Sequence, residues 1–222
     1  MEHIKNIVFD LGGVLMDFDF AGAAIKFQEL GLPVSLPDTT TQSSPRTPAS
    51  KEADKLINAY INGFVNEDQF ADLLLPHCKE GVTHRDITDT LFSLDGSFPS
   101  SRIEALAKLR TRYKVILLSN INSNMWKRTI EMLNQQGKKM SDCFDHTFLS
   151  YEMQMAKPSA EIYNSMISQT GINPHESLYF DDLPENIEAG TRVGLISCLV
   201  KSNYLEQCDT FNELMSNKTF SL

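Results

Sequence analysis

Four short apolar runs, Ile4 to Phe9, Val115 to Leu118, Leu178 to Phe180 and Leu195 to Val200, each lead straight into polar residues. Continuous apolar runs of that length have no polar face, so they belong to strands covered on both sides, as in a parallel sheet. Stretches of helical period separate them. Arg102 to Arg112 sets Ile103, Leu106 and Leu109 on one stripe, Ser159 to Thr170 sets Ile162, Met166 and Ile167 together, and Pro184 to Ala189 opens a further helix with proline in its first turn. Cys143 to Leu149 reads as a shorter strand. Strands that alternate with helices build βαβ units with right-handed crossovers. The expected class is α/β, a Rossmann-like core with a mostly parallel sheet, and 222 residues can bury such a core without disulfides.

The first and second strands lie too far apart in sequence for a single crossover helix. Residues 17–98 are expected to form an inserted small α-helical cap domain, and residues 1–16 with 99–222 the α/β core. Within the insert, Ala21 to Leu30, Lys51 to Ile61, Glu67 to Leu75 and His84 to Phe92 carry helical patterns, with turn signals at Asn62-Gly63 and Asp95-Gly96. Pro33 to Ser50 is rich in Pro, Ser and Thr, can bury little apolar surface, and is expected to be a loop without chemistry.

A formal net charge of -9, with 20 Lys and Arg scattered among 29 Asp and Glu, argues against a nucleic-acid partner, which takes clustered basic side chains. No apolar stretch approaches the ~20 residues needed to cross a bilayer, so no membrane role is expected. Cys78, Cys143, Cys198 and Cys208 show no metal-ligand or CxxC spacing, and the N-terminal MEHIKNIVFD lacks the zones of a signal peptide. These features fit a reducing, cytoplasmic setting and a small soluble molecule as partner. They carry no signal of oligomeric state.

Ligands of an open parallel sheet settle outside the carboxyl ends of its strands, so the residues that close each strand matter most. Here they are Asp10 followed by Leu11-Gly12-Gly13, Ser119-Asn120, and Asp181-Asp182. Three carboxylates on one edge repel each other unless a cation is present, and Mg²⁺, which takes oxygen ligands, resolves the conflict. An ordinary Asp titrates near ~3.9, so Asp10 is expected to be ionised and able to attack phosphorus unaided. Ser119 offers a hydroxyl donor and Lys157 a point charge for the oxygens of a transferring phosphoryl group. Gly12 and Gly13 permit close backbone approach beside a ligand. Each residue also has a plain reading: a turn residue at Asp10, a helix cap at Ser119-Asn120, a solvated lysine at Lys157. Trp126 and Met125 read as core packing, while Glu185 and Asn186 either order the acidic loop or simply start its helix.

The blocks NIVFDLGGVL, VILLSN, AKPSAEIY and LYFDDLPENIEAG, in this order across nearly the whole chain, resemble those of the haloacid dehalogenase-like hydrolase superfamily, in its branch with a helical cap after the first strand. The resemblance implies an Mg²⁺-dependent phosphatase acting on a small phosphorylated metabolite. In it Asp10 is the nucleophile, Ser119 and Lys157 hold phosphate together with Gly12, Gly13 and Asn120, and Asp10, the Gly12 carbonyl, Asp181 and Asp182 bind the metal. One departure stands out. Phosphatases of this superfamily usually carry a second Asp two residues after the nucleophile as acid and base, and here that position is Gly12. Such groups supply about 10² to 10⁴ in rate, so a slow phosphatase is one expectation and a catalytically silent phosphate- and metal-binding regulatory protein another. Asp17 and Asp19 stand nearby as substitute acids or as capping residues. A haloacid dehalogenase, which also lacks the second Asp, is disfavoured by the Asp181-Asp182 pair, and a receiver domain by where that pair falls in the chain.

Overall fold

The computed structural model describes residues 3–32, 48–92 and 96–216. In chain order the elements are β1 (Asn6–Phe9), β2 (Asp17–Phe18), α1 (Phe20–Glu29), α2 (Pro48–Ile61), α3 (Glu67–Leu74), α4 (His84–Phe92) and β3 (Gly96–Ser97). They continue with α5 (Ser100–Leu109), β4 (Lys114–Ser119), α6 (Ser123–Gln135), α7 (Met140–Cys143), β5 (His146–Leu149) and α8 (Ser150–Met153). The chain closes with α9 (Ala160–Thr170), β6 (Ser177–Asp181), α10 (Pro184–Arg192), β7 (Ile196–Leu199) and α11 (Asp209–Met215).

Five strands form one sheet in the order β5-β4-β1-β6-β7, and every pairing in it is parallel. This is the mostly parallel α/β architecture that the apolar runs predict, although the run Leu195 to Val200 forms the edge strand β7, where Ile196 and Leu199 are exposed rather than buried. The central strand β1 is buried at all four residues, and Phe9 stands opposite both Leu117 and Phe180, so the three central strands run to the same edge of the sheet. On one face, Val8, Ile116, Leu118 and Tyr179 pack with Tyr163 and Met166 of α9 and Ala189 of α10. On another part of the core, Phe9 stacks on Phe180 at 5.1 Å between ring centroids and Phe211 of α11 meets both edge-on. The predicted stripe of Ile103, Leu106 and Leu109 is buried.

The chain divides into two compact units, residues 1–17 with 97–222 and residues 18–96. The second has its own core, in which Phe27, Leu30, Ile57, Phe70, Leu74 and Ile87 are buried. Two of its helices, α1 and α3, start where short polar side chains satisfy free backbone N–H groups. Asn66 and Gln69 exchange side-chain bonds as a capping box on α3, and Asp19 accepts from the Gly22 amide to cap α1. A methyl group on Gly22 would stand 2.2 Å from the Asp19 carboxylate, so a larger residue there would push the capping side chain aside.

Boundaries differ from the sequence reading in a few places. Cys143 closes α7 and the strand starts only at His146, because the Asp145 side chain turns back to accept the Val115 amide and Cys143, two residues earlier, belongs to a helical turn. The helix α2 begins at Pro48, inside the stretch expected as loop, since proline suits a first helical turn. The rest of that stretch, residues 33–47, lies outside the described residues, as does Asp95 of the second turn signal. The two-residue strands β2 and β3, which pair with each other, are too short for any periodicity to mark.

Candidate active site

The carboxyl ends of β1, β4 and β6 bring together Asp10, Ser119, Asp181 and Asp182, and the loop before α9 adds Lys157. The Asp10 amide donates to the Phe180 carbonyl at 2.9 Å, which continues the β1–β6 ladder one residue past the strand and sets Asp10 beside Asp181. One carboxylate oxygen from each of Asp10, Asp181 and Asp182 lies within 4.8 Å of the others. The Lys157 ammonium stands 2.8 Å from Asp10 Oδ1 and 2.7 Å from Asp181 Oδ2, with its side chain almost wholly buried. It is therefore a buried bridge between two acids rather than a solvated lysine.

Lys157 is held by Asn120. The Asn120 amide nitrogen donates to the Lys157 carbonyl and its amide oxygen accepts the Lys157 N–H, both at 2.9 Å, and the following Lys157-Pro158 peptide is cis. The Asn120 side chain thus clasps the backbone that carries the ammonium, while Ser119, also buried, closes β4 next to it. Among the described residues no hydrogen bond engages the Ser119 hydroxyl, which leaves it able to donate to a ligand.

The three carboxylates are not equivalent. Asp181 is fully buried and accepts four donors: Lys157 Nζ and the Tyr179 hydroxyl on Oδ2, and the Leu183 amide and Asn186 Nδ2 on Oδ1 at 2.9 Å each. A carboxylate has about four acceptor sites, so the protein itself satisfies this one. Asn186, in the first turn of α10, accordingly orders the acidic loop. Tyr179 has no counterpart in the sequence reading, although a signal existed: residues two apart on a strand share a face, so the residue before Phe180 had to sit beside Asp181. Its hydroxyl also meets that of Tyr163 at 3.3 Å, and Tyr163 donates to the Asn186 carbonyl.

Asp182 turns the other way, against the loop after β1. Gly13 has φ +75°, and a methyl group on it would stand 2.2 Å from Asp182 Oδ2 and 2.7 Å from Ser202 Oγ, so only glycine fits under that carboxylate. The loop closes on itself through Gly13 N to the Met16 carbonyl and through Leu15 N and Met16 N to the Leu11 carbonyl. Asp17 and Asp19 are both engaged, the first by Arg102 at 2.7 Å and the second as the cap of α1.

Electrostatics sets a condition on this arrangement. Burial pushes the Asp10 carboxyl up to about 7, with Lys157 pulling it down and Asp181 and Asp182 pushing it further up. Burial likewise pushes Asp182 up to about 6, although Ser202 and Lys157 pull the other way. Burial thus works against the ionised Asp10 that the sequence leads one to expect, and one lysine offsets it only in part. With all three carboxylates ionised against one ammonium, two negative charges would stay uncompensated, a deficit that a divalent cation fits.

Residues 4–194 match the family of haloacid dehalogenase-like hydrolases. The chain belongs to that family. A relative within it, the D-ribitol-5-phosphate phosphatase of Bacteroides thetaiotaomicron, is 31% identical over 193 residues, which cover 86% of this chain and 89% of that one. Among solved structures, a HAD family enzyme from Bacteroides thetaiotaomicron in complex with magnesium and inorganic phosphate superposes with a TM-score of 0.68 at 28% identity, covering 90% of this chain and 95% of that one. A dehalogenase at 16% identity, aligned over the whole of both chains with a TM-score of 0.62, shares the haloacid dehalogenase-like fold.

Proposed function

We propose that this haloacid dehalogenase-like hydrolase is an Mg²⁺-dependent phosphatase of a small phosphorylated metabolite, with Asp10 as nucleophile. The observation that carries the reading is the Lys157 ammonium lodged between Asp10 and Asp181, inside a group of three carboxylates at the open edge of the sheet. Asp10, Asp182 and the Gly12 carbonyl would hold the ion, with Asp181 beside them. Bound there, Mg²⁺ supplies the positive charge that keeps Asp10 ionised and offsets the incoming phosphate.

Asp10 Oδ1 is held by the Leu11 amide at 2.7 Å and by Lys157, which leaves Oδ2 as the oxygen that attacks phosphorus. The P–O bond to the ester oxygen breaks as the bond to Asp10 Oδ2 forms, and water then releases inorganic phosphate from Asp10. The Ser119 hydroxyl and the Lys157 ammonium hold the phosphoryl oxygens, and Asp181 fixes Lys157 for that task. With Gly12 in place of a carboxylic acid, and Asp17 and Asp19 engaged elsewhere, the leaving oxygen takes its proton from solvent or from the substrate itself. The enzyme is accordingly slow on substrates with poor leaving groups.

In this reading the α/β unit carries the chemistry and the helical unit acts as the cap that selects the substrate. Four free thiols fit a reducing, cytoplasmic setting, and among the described residues no helix is long and apolar enough to cross a membrane. A screen of purified protein against polyol and sugar phosphates, beginning with D-ribitol 5-phosphate, tests the proposal. Phosphate release that needs Mg²⁺ and disappears in Asp10→Asn is expected. Gly12 favours one second reading, a silent phosphate-binding protein, and binding without hydrolysis across the panel would establish it instead.

A further inference from the structure

We infer that Arg102 is a positioning residue that locks the loop after β1 to the loop after β7, and so holds Gly13 and Asp182 in place. The inference rests on the metal-dependent reading above and adds to it a residue that touches none of the reacting groups. Arg102 lies in the first turn of α5, where the partial positive charge of the helix end disfavours a cation, and it is only 3% exposed. A buried guanidinium in that position persists only if its donors are matched. Here they are. Nε and Nη2 form a two-pronged contact to Glu206 at 2.7 and 2.9 Å, Nη1 reaches Asp17 Oδ1 at 2.7 Å, and Nη2 also reaches the Asn203 carbonyl at 3.1 Å.

The partners belong to two segments that flank the acids. Asp17 ends the loop that starts at Asp10, and Asn203 and Glu206 belong to the loop that follows β7. Asn203, held with φ +64°, donates its amide to the Gly13 carbonyl at 2.6 Å. Its neighbour Ser202 lies with Asp182 Oδ2 against the bare Cα of Gly13. A single planar cation therefore ties both loops across the residue on which Asp182 rests. Lysine, with a compact ammonium and no planar fork, cannot keep the two-pronged contact to Glu206 while it also reaches Asp17 and the Asn203 carbonyl.

The test compares Arg102→Lys with Arg110→Lys. Arg110 makes a similar contact to Asp145, but at the opposite, amino ends of the strands, where Asp145 accepts the Val115 amide. Two readouts are taken: Mg²⁺ affinity by titration calorimetry, and hydrogen exchange of the Gly13 and Asn203 amides in metal-free protein. In Arg102→Lys we expect Mg²⁺ affinity to fall about 10-fold, the lower end for residues that orient metal ligands, and both amides to exchange faster. Arg110→Lys should change neither. If Arg102→Lys does not fold, Glu206→Gln, at a half-exposed carboxylate, takes its place with the same expected direction. Folded variants with unchanged affinity and unchanged exchange, or an equal effect from Arg110→Lys, overturn the inference. A wild-type protein that binds no Mg²⁺ defeats the functional reading instead, and the exchange rates then decide alone whether the lock exists.

Discussion

Lys157 is one positive charge set against three acids, and the consequences can be measured residue by residue. Removing one partner of a buried ion pair costs about 3 to 5 kcal/mol because the other charge stays unpaired. Lys157→Met should therefore lose about 3 kcal/mol in metal-free urea unfolding at pH 8, and less at pH 5, where the acids can take up protons. The wild-type protein has its own pH signature. Burial raises Asp10 to about 7 and Asp182 to about 6 from an ordinary 3.8, so between about pH 4 and 7 the folded state binds more protons than the unfolded one. Stability of the metal-free protein should then fall as pH rises through that window. Saturating Mg²⁺ should cancel the fall, and melting temperatures with and without the ion at pH 5 and pH 8 measure it. These values were out of reach from composition. That Asp10, Asp181 and Asp182 would meet was legible from the residues that close each apolar run. The depth of their burial was not, because it comes from packing around β1 and β6.

At the scale of elements, the site is three strand ends and two loops, and the loops carry the less obvious requirements. Gly13→Ala would force a side chain into a left-handed backbone, worth about 1 to 3 kcal/mol, and press a methyl group onto Asp182. Loss of most Mg²⁺ binding by calorimetry is expected, while Gly137→Ala, also at positive φ but with nothing within 4 Å, should leave it unchanged. Tyr179→Phe removes one of four donors to Asp181, and about 1 to 3 kcal/mol of stability with it. Short, mostly apolar strands and amphipathic helices were readable from the pattern of apolar residues. The pairing of Asn120 with Lys157 was not, because it joins residues 37 positions apart through a loop whose course no local pattern records. The same holds for the lock at Arg102, whose partner Glu206 is 104 residues away.

For the whole molecule, two units pack separate cores, and in the proposed function one carries the chemistry and the other the selection. Phe70, at the centre of the helical core, is fully buried, and Phe70→Ala should cost that unit about 3 to 5 kcal/mol. Calorimetric Mg²⁺ affinity should stay as in wild type, since every acid of the site belongs to the other unit. The alternation of strands and helices made the α/β class legible at this scale, and the length of chain between β1 and β4 signalled an insertion. Substrate identity was not legible, because no motif in the helical unit reads as a recognition code. The central claim is that phosphate passes through Asp10. Acid quenching of the protein during turnover with a hydrolysed phosphomonoester and Mg²⁺, followed by mass spectrometry of the peptide that carries Asp10, tests it most directly. A phosphoryl adduct on Asp10 that vanishes without the ion is the predicted result; phosphate release that continues in Asp10→Asn with no adduct on that peptide would contradict it.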